Sequence, residues 1–337
     1  MGKVEGIVAV ALLVAILAAA GSADIAPPSN YKELRTKDTG LVFYFDPRDA
    51  KTARYLAERA PAILKRIGEL FGDDLSRFSA RVILAGSVDD YREIDPQAPS
   101  WSVGRAYGGR RFIVMLSGRA AREAGLRVDV EQVFAHELFH LVAHEKVRGE
   151  LPRYFDEGVA RYVAGEVGIG TMATLSLALM RGDFIPLGRL ASNFPLPSDK
   201  AKLAYAESES FVRFLVDRYG PSFLGQLFAA LEREGDFARA VEKLTGEPLL
   251  ELEYRWRNFL SKHHTIFVVV SPGWLVWWAI LLLMIAVGIR KFVLARRRLK
   301  EMEAEELMET FGTTDAGGKI IPFQPDSRER KRKAFRN

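Results

Sequence analysis

Two of the five histidines in this 337-residue chain fall in one short run, His136-Glu137-Leu138-Phe139-His140. On a helix, residues four apart share a face, with Cβ atoms roughly 5–6 Å apart. Two imidazoles so placed reach one metal ion at about 2.0–2.1 Å each. The Glu between them can take a proton from metal-bound water. This H-E-x-x-H pattern therefore offers two zinc ligands, His136 and His140, and a general base, Glu137. The plainer reading of the same residues is a pair of core histidines with hydrogen-bonded rings.

Catalytic zinc usually takes three protein ligands and a water. Glu157 is the candidate third ligand: sixteen residues separate it from His140, and a second helix folding back across a turn at Gly149 would return it to the first. His144 competes, at i+4 from His140. However, residues 136, 140 and 144 stack along one helix, and the outer two are roughly 12 Å apart by rise alone. They cannot share an ion, so His144 is read as a flanking residue. Asp156 is read as a solvent contact or as a hydrogen-bond partner to a ligand.

The elements around these residues can be read from spacing. Asp129 is a suitable N-cap, and Val130, Val133, Phe134, Leu138, Leu141 and Val142 give helical apolar spacing, which places the motif about two turns into a helix. Pro152 stands near the first position of the next helix. Upstream, Leu41–Phe45 and Arg81–Ala85 read as strands around a helix at Asp49–Phe71. Val103–Tyr107 and Phe112–Leu116 flank Gly108-Gly109 as a hairpin. Helices follow at roughly 171–181, 201–219, 221–232, 235–244 and 248–262. The expected fold class is α+β: a small N-terminal mixed sheet packed on the H-E-x-x-H helix, then a mostly helical subdomain, then one transmembrane helix.

The segments HELFH, LPRYFDEGVARYVAG, LAYAESESFVRFLVDRYG and LTGEPLLELEYRWRNFL together resemble the bacterial gluzincin family called peptidase MA-like. The resemblance spans about residues 40–262. It implies a zinc peptidase with His136, His140 and Glu157 as metal ligands and Glu137 as base. Tyr154 departs from the family's usual Trp and keeps an aromatic ring. The resemblance also puts an aromatic hydroxyl at Tyr205, the candidate oxyanion stabiliser, with Tyr162 the next choice. In such peptidases a strand before the zinc helix pairs with extended substrate; Phe112–Leu116 is the matching segment, either as that edge strand or as an ordinary interior one.

Residues 1–23 read as a signal peptide or signal anchor, with Lys3 ahead of an apolar run from Ile7 to Ala20. A second run, Ile266–Ile289, holds 24 residues without a charge and reads as a transmembrane helix whose start Pro272 and Gly273 bend or delay. Arg290, Lys291, Arg296, Arg297, Arg298 and Lys300 follow, so the tail is expected in the cytoplasm and residues 24–262, the zinc peptidase domain, outside it. Residues 290–337 carry 13 Lys or Arg against 8 Asp or Glu, which accounts for the whole chain's net charge of +5. The basic character thus belongs to a membrane-flanking tail, disordered beyond Pro322, that meets anionic lipid; no nucleic-acid partner is expected. Zero cysteine excludes disulfides and thiolate ligands. The function these features point to is a membrane-anchored extracytoplasmic zinc metallopeptidase, one zinc per chain, acting on a peptide or protein substrate. The alternative is a catalytically silent peptidase-like scaffold of the cell envelope.

Overall fold

The computed structural model describes residues 26–99, 102–165, 169–192, 194–195, 199–270, 272–311, 313–314, 317–318 and 320–321. The expected signal segment and the tail beyond Pro322 lie outside them. The chain divides into two compact units, one up to Val269 and one from Val270.

The first unit is α+β and mostly helical. Its sheet has five strands, β1 (Lys32–Arg35), β2 (Gly40–Phe45), β3 (Ser79–Ala85), β4 (Gly104–Tyr107) and β5 (Phe112–Leu116), in the order β1-β2-β3-β5-β4. The pairs β2–β3 and β3–β5 are parallel, while β1 and β4 run antiparallel at the two edges. The sheet is therefore mixed. Phe112–Leu116 takes the interior alternative: all five residues are buried, with a strand on each side. The edge next to the motif helix is β4. A strand buried on both faces carries a continuous apolar run, and Phe-Ile-Val-Met-Leu is one.

Helix α1 (Ala50–Phe71) buries Ala53, Leu56, Ala60, Ile63, Leu64 and Ile67, a 3–4 residue spacing that turns one stripe to the core. It stops where Gly72 adopts φ 62°, a left-handed cap. Short helices α2 (Val88–Ile94) and α3 (Gly118–Glu123) follow β3 and β5. Helix α4 (Val130–Lys146) begins at Asp129, whose Oδ1 accepts from the N–H groups of Glu131 and Gln132 at 3.0 and 3.2 Å. Every residue from Val133 to Ala143 is buried. The helix carrying the motif is thus a central element, held between the sheet, α1 and α5 (Arg153–Ala164).

Helices α6 (Ile169–Arg181), α7 (Leu187–Ser192), α8 (Asp199–Tyr219), α9 (Phe223–Glu234), α10 (Phe237–Thr245) and α11 (Leu249–Val270) complete this unit's order, α11 reaching its boundary. Buried Trp256 of α11 donates its Nε1–H to Ser210 Oγ of α8 at 3.1 Å.

Helix α8 also carries Glu207, a fully buried carboxyl whose Oε1 accepts the N–H of Ile185 at 3.0 Å. Burial pushes its pKa up to about 8 from an ordinary 4.5; Glu253 adds to the rise, and the Ile185 hydrogen bond and Arg257 oppose it. The folded protein therefore holds a proton there that the unfolded chain releases. Stability is fully present below about pH 4.5 and declines as pH rises through about 8. Glu207→Gln, which mimics the protonated form, should leave Tm near wild type at pH 5 and exceed it by roughly 10 °C at pH 8.5. Thermal unfolding of both chains across that range checks the sign; a constant difference would place the titration elsewhere.

The second unit is built on helix α12 (Pro272–Phe311), followed by the short antiparallel pair β6 (Thr313–Thr314) and β7 (Ile320–Ile321). Among the described residues one helical stretch, Trp277–Glu303, is long and apolar enough to cross a membrane. Leu282, Leu283 and Met284 stand 64, 66 and 67% exposed, with no protein core around them.

Candidate metal centre

Helices α4 and α5 bring three electron-pair donors together. His136 Nε2 and His140 Nε2 are 3.1 Å apart. Glu157 Oε2 lies 3.4 Å from the first and 3.7 Å from the second. All three residues are buried, at 1% exposure or less. A triangle with these edges has a circumscribed radius of about 2.0 Å, so one ion can reach all three atoms at the distances zinc takes to imidazole and carboxylate. The donor set is two nitrogens and one oxygen with no sulfur, which suits a borderline divalent cation. Among the described residues this is the group able to hold a metal.

Electrostatics agree with a cation at that point. Burial alone would lower the His140 pKa, but the carboxylates of Asp156 and Glu157 override it and raise it well above the ordinary value. Burial alone would raise the Glu157 carboxyl, but the two imidazoles pull it down to about 2. The pocket thus favours positive charge beside Glu157, whether a proton or a metal supplies it.

Asp156 has one of the two places its sequence position allowed. Its Oδ2 sits 3.1 Å from His140 Nδ1. A carboxylate at that distance favours a proton on Nδ1, the tautomer that leaves the Nε2 lone pair toward Glu157. His144 is elsewhere: its ring lies against Gly108, where an added Cβ would come within 2.0 Å of Cδ2.

Glu137 is fully buried on α4, one position past His136. Gly104 of β4 makes room for it, since a Cβ there would stand 2.8 Å from Glu137 Oε1 and 2.8 Å from Val133 Cγ1. The edge strand therefore passes directly over the carboxylate. Tyr205 of α8 is 2% exposed, and its hydroxyl has no hydrogen-bond partner among the described residues. Burial pushes its pKa well up; Glu157 adds to this, and Arg153 and Arg161 oppose it. Tyr205 is thus within electrostatic reach of the triad. Tyr162 points into a different contact, with Arg213 over its ring at 5.3 Å.

Sequence reasoning did not single out Gly104, Arg153 or Arg161. Gly104 opens a strand, where a glycine signals a close approach of backbone to something else. Arg153 and Arg161 stand at i−4 and i+4 from Glu157, and that spacing places all three on one face of α5.

An α+β domain whose H-E-x-x-H helix meets a Glu-Gly helix, with a buried His-His-Glu group between them, is a peptidase-like fold with a metal-capable centre. The chain belongs to the Peptidase MA superfamily, whose family model matches residues 91–262. That stretch takes in α4, α5, α8 and Trp256, and it starts later than the resemblance read from motifs. A curated relative, the uncharacterized protein YhcO of Bacillus subtilis (strain 168), is 22% identical over 151 residues, which are 42% of this chain and 45% of that protein. Among solved structures, Legionella pneumophila aminopeptidase A in complex with aspartic acid aligns with 67% of this chain and 27% of its own, at 14% identity and a TM-score of 0.40. The chain thus spans less than half the length of either protein.

Proposed function

We propose that the chain is a membrane-anchored extracytoplasmic zinc metallopeptidase of the gluzincin type. The observation that carries the reading is the buried triangle of His136 Nε2, His140 Nε2 and Glu157 Oε2. These residues would hold one zinc ion, with Asp156 orienting His140. When bound, zinc supplies a Lewis acid that acidifies water and polarises a peptide carbonyl. Glu137 accepts the water's proton and returns it to the leaving amine. The Tyr205 hydroxyl, without a hydrogen-bond partner among the described residues, donates to the oxyanion that develops on the carbonyl oxygen.

The peptidase domain is assigned to residues 24–262 behind a signal segment at 1–23. A spanning helix at 266–289, overlapped by the exposed apolar stretch that starts at Trp277, anchors it. The exposure of that stretch's leucines supports a lipid surround. Arg290, Lys291 and Arg296 to Arg298 support a cytoplasmic tail at 290–337.

Metal analysis of the purified full-length chain should return one zinc per chain, and a peptide library incubated with it should yield discrete cleavage products. One zinc with no cleavage of any peptide would instead assign the chain to the scaffold reading.

A further inference from the structure

Helix α12 holds 40 residues, about 60 Å at the rise of an α-helix, twice the roughly 30 Å of a bilayer's hydrocarbon core. A span at 266–289 ends before Arg290, and one counted from Trp277 reaches Arg296 after about 20 residues. Leu299 and Met302 lie past either end. They are the apolar side chains among Arg296, Arg297, Arg298, Lys300, Glu301 and Glu303, and they stand 59 and 66% exposed. A helix that keeps an apolar stripe in water has a partner to cover it.

The stripe continues backwards. Ala295 is four residues before Leu299, and Phe292 is three before that. The same alternation of three and four steps runs on through Gly288, Ile285, Leu281 and Trp278. Inside a bilayer the other faces of α12 are apolar too, so the repeat distinguishes nothing there. Past Arg296 it is the face that stays apolar. Such a seven-residue repeat drifts by about 20° per heptad on a straight helix, and left-handed winding of two helices takes up the drift. Gly288 and Ala295 let two backbones approach closely, and Gly288 has open space beside it.

Charge and direction select the partner. A membrane anchor points every copy of the chain the same way, so two copies of α12 meet in parallel. With Phe292 and Leu299 at a and Ala295 and Met302 at d, Arg298 falls at g and Glu303 at the following e. Those positions face each other across a parallel two-stranded coil, and here their charges are opposite. The preceding pair, Lys291 and Arg296, is like-charged. It lies near the end of the hydrocarbon core, where anionic headgroups counter it, and Arg296 also covers its own chain's Phe292 ring at 4.8 Å. The bilayer surface is a poor cover for Leu299 and Met302, because Glu301 and Glu303 beside them are repelled by anionic lipid.

We infer that α12 pairs with a second copy of the chain through Phe292, Ala295, Leu299 and Met302, as a parallel two-stranded coil that extends the anchor beyond the bilayer. This rests on the membrane placement of α12 and is independent of the zinc chemistry.

The chain has no cysteine, so a single introduced one reports its own contacts. Full-length chains carrying one cysteine at each position from 292 to 303 in turn, expressed as two differently tagged copies, are oxidised in membranes with copper–phenanthroline. Yield of the doubly tagged dimer should peak at 292, 295, 299 and 302, about fivefold above 297 and 301, because facing positions alone bring two Cα atoms within disulfide reach. In the Met302→Cys chain, Leu299→Lys should cut the yield about tenfold and Glu303→Arg about threefold, and adding Arg298→Glu to the latter should restore it. An even yield along the helix, or links to other proteins alone, overturns the pairing if the chain stays in the membrane through an alkaline wash. A chain that the wash releases has no anchor, and the parallel pairing falls with it.

Discussion

Glu137→Gln should lower peptide hydrolysis by about three orders of magnitude while the chain stays folded and keeps its zinc. Three features of the site set that expectation. First, Gln has the shape of Glu and fits the space that Gly104 leaves, so the packing of α4 under β4 survives. Second, the three donors are other residues, and their triangle does not involve position 137. Third, the change removes a group able to accept and return a proton at the reacting water, a role worth about 10²–10⁴ in rate. The corresponding barrier increase is about 3–5 kcal/mol. Cleavage of a peptide library and zinc content, measured on one preparation of each chain, separate the possibilities. A Gln chain that cuts as fast as wild type rules out Glu137 as the base. A Gln chain that has lost its zinc makes residue 137 part of metal retention. Glu137→Asp adds a distance control, because one methylene withdraws the carboxylate by about 1 Å, enough to cost on the order of 10²-fold where geometry is limiting.

How far the site can be read from the sequence depends on how local each contact is. His136 and His140 meet because they are one helical turn apart, and Asp129 marks where that helix begins; both signals lie within a dozen residues. Glu157 meets them through one reversal between adjacent helices, and the sixteen-residue gap carries that information. Tyr205 is different. Its position follows from the packing of α8 on α5, and no short-range pattern specifies which face of α8 turns inward, so only family resemblance singled it out. The edge strand shows the opposite difficulty. Arg105 in β4 is 1% exposed, a charge where strand patterning expects an apolar residue, and Asp95 at 3.4 Å with the Tyr107 ring at 4.9 Å makes that burial tolerable. Asp95, which carries the opposite charge, is ten residues back and outside the strand. Strand β1, Lys32-Glu33-Leu34-Arg35, has no hydrophobic alternation because it is an edge whose ladder is set by β2. Its side chains carry little of the signal that reveals a buried strand.

Gly158, directly after Glu157, leads to the second large effect. Gly158→Ala should destabilise the first unit by about 3 kcal/mol, the upper part of the range for overpacking a close contact. An added Cβ would meet the carbonyl oxygen of Ser208 at 2.4 Å, its carbon at 2.8 Å and Val212 Cγ2 at 2.8 Å. The first two are backbone, so no rotamer change relieves them; α8 has to move off α5. That helix is not free to retreat: Glu207 holds Ile185 N–H at 3.0 Å, and Trp256 holds Ser210 at 3.1 Å. The intrinsic preference runs the other way, since Ala favours a helix interior over Gly by about 1 kcal/mol. The sign of the change therefore decides the matter. Thermal unfolding of the full-length chain should show Tm lowered by roughly 6–12 °C, at about 2–4 °C per kcal/mol for a unit of this size. Zinc should still bind, because its donors lie on α4 and α5, whereas displacement of α8 carries Tyr205 away from Glu157 and should lower kcat more than it raises KM. A Tm that rises instead would mean that α5 and α8 stand further apart than the Gly158–Ser208 contact places them, and Tyr205 would then lose its place beside the metal centre.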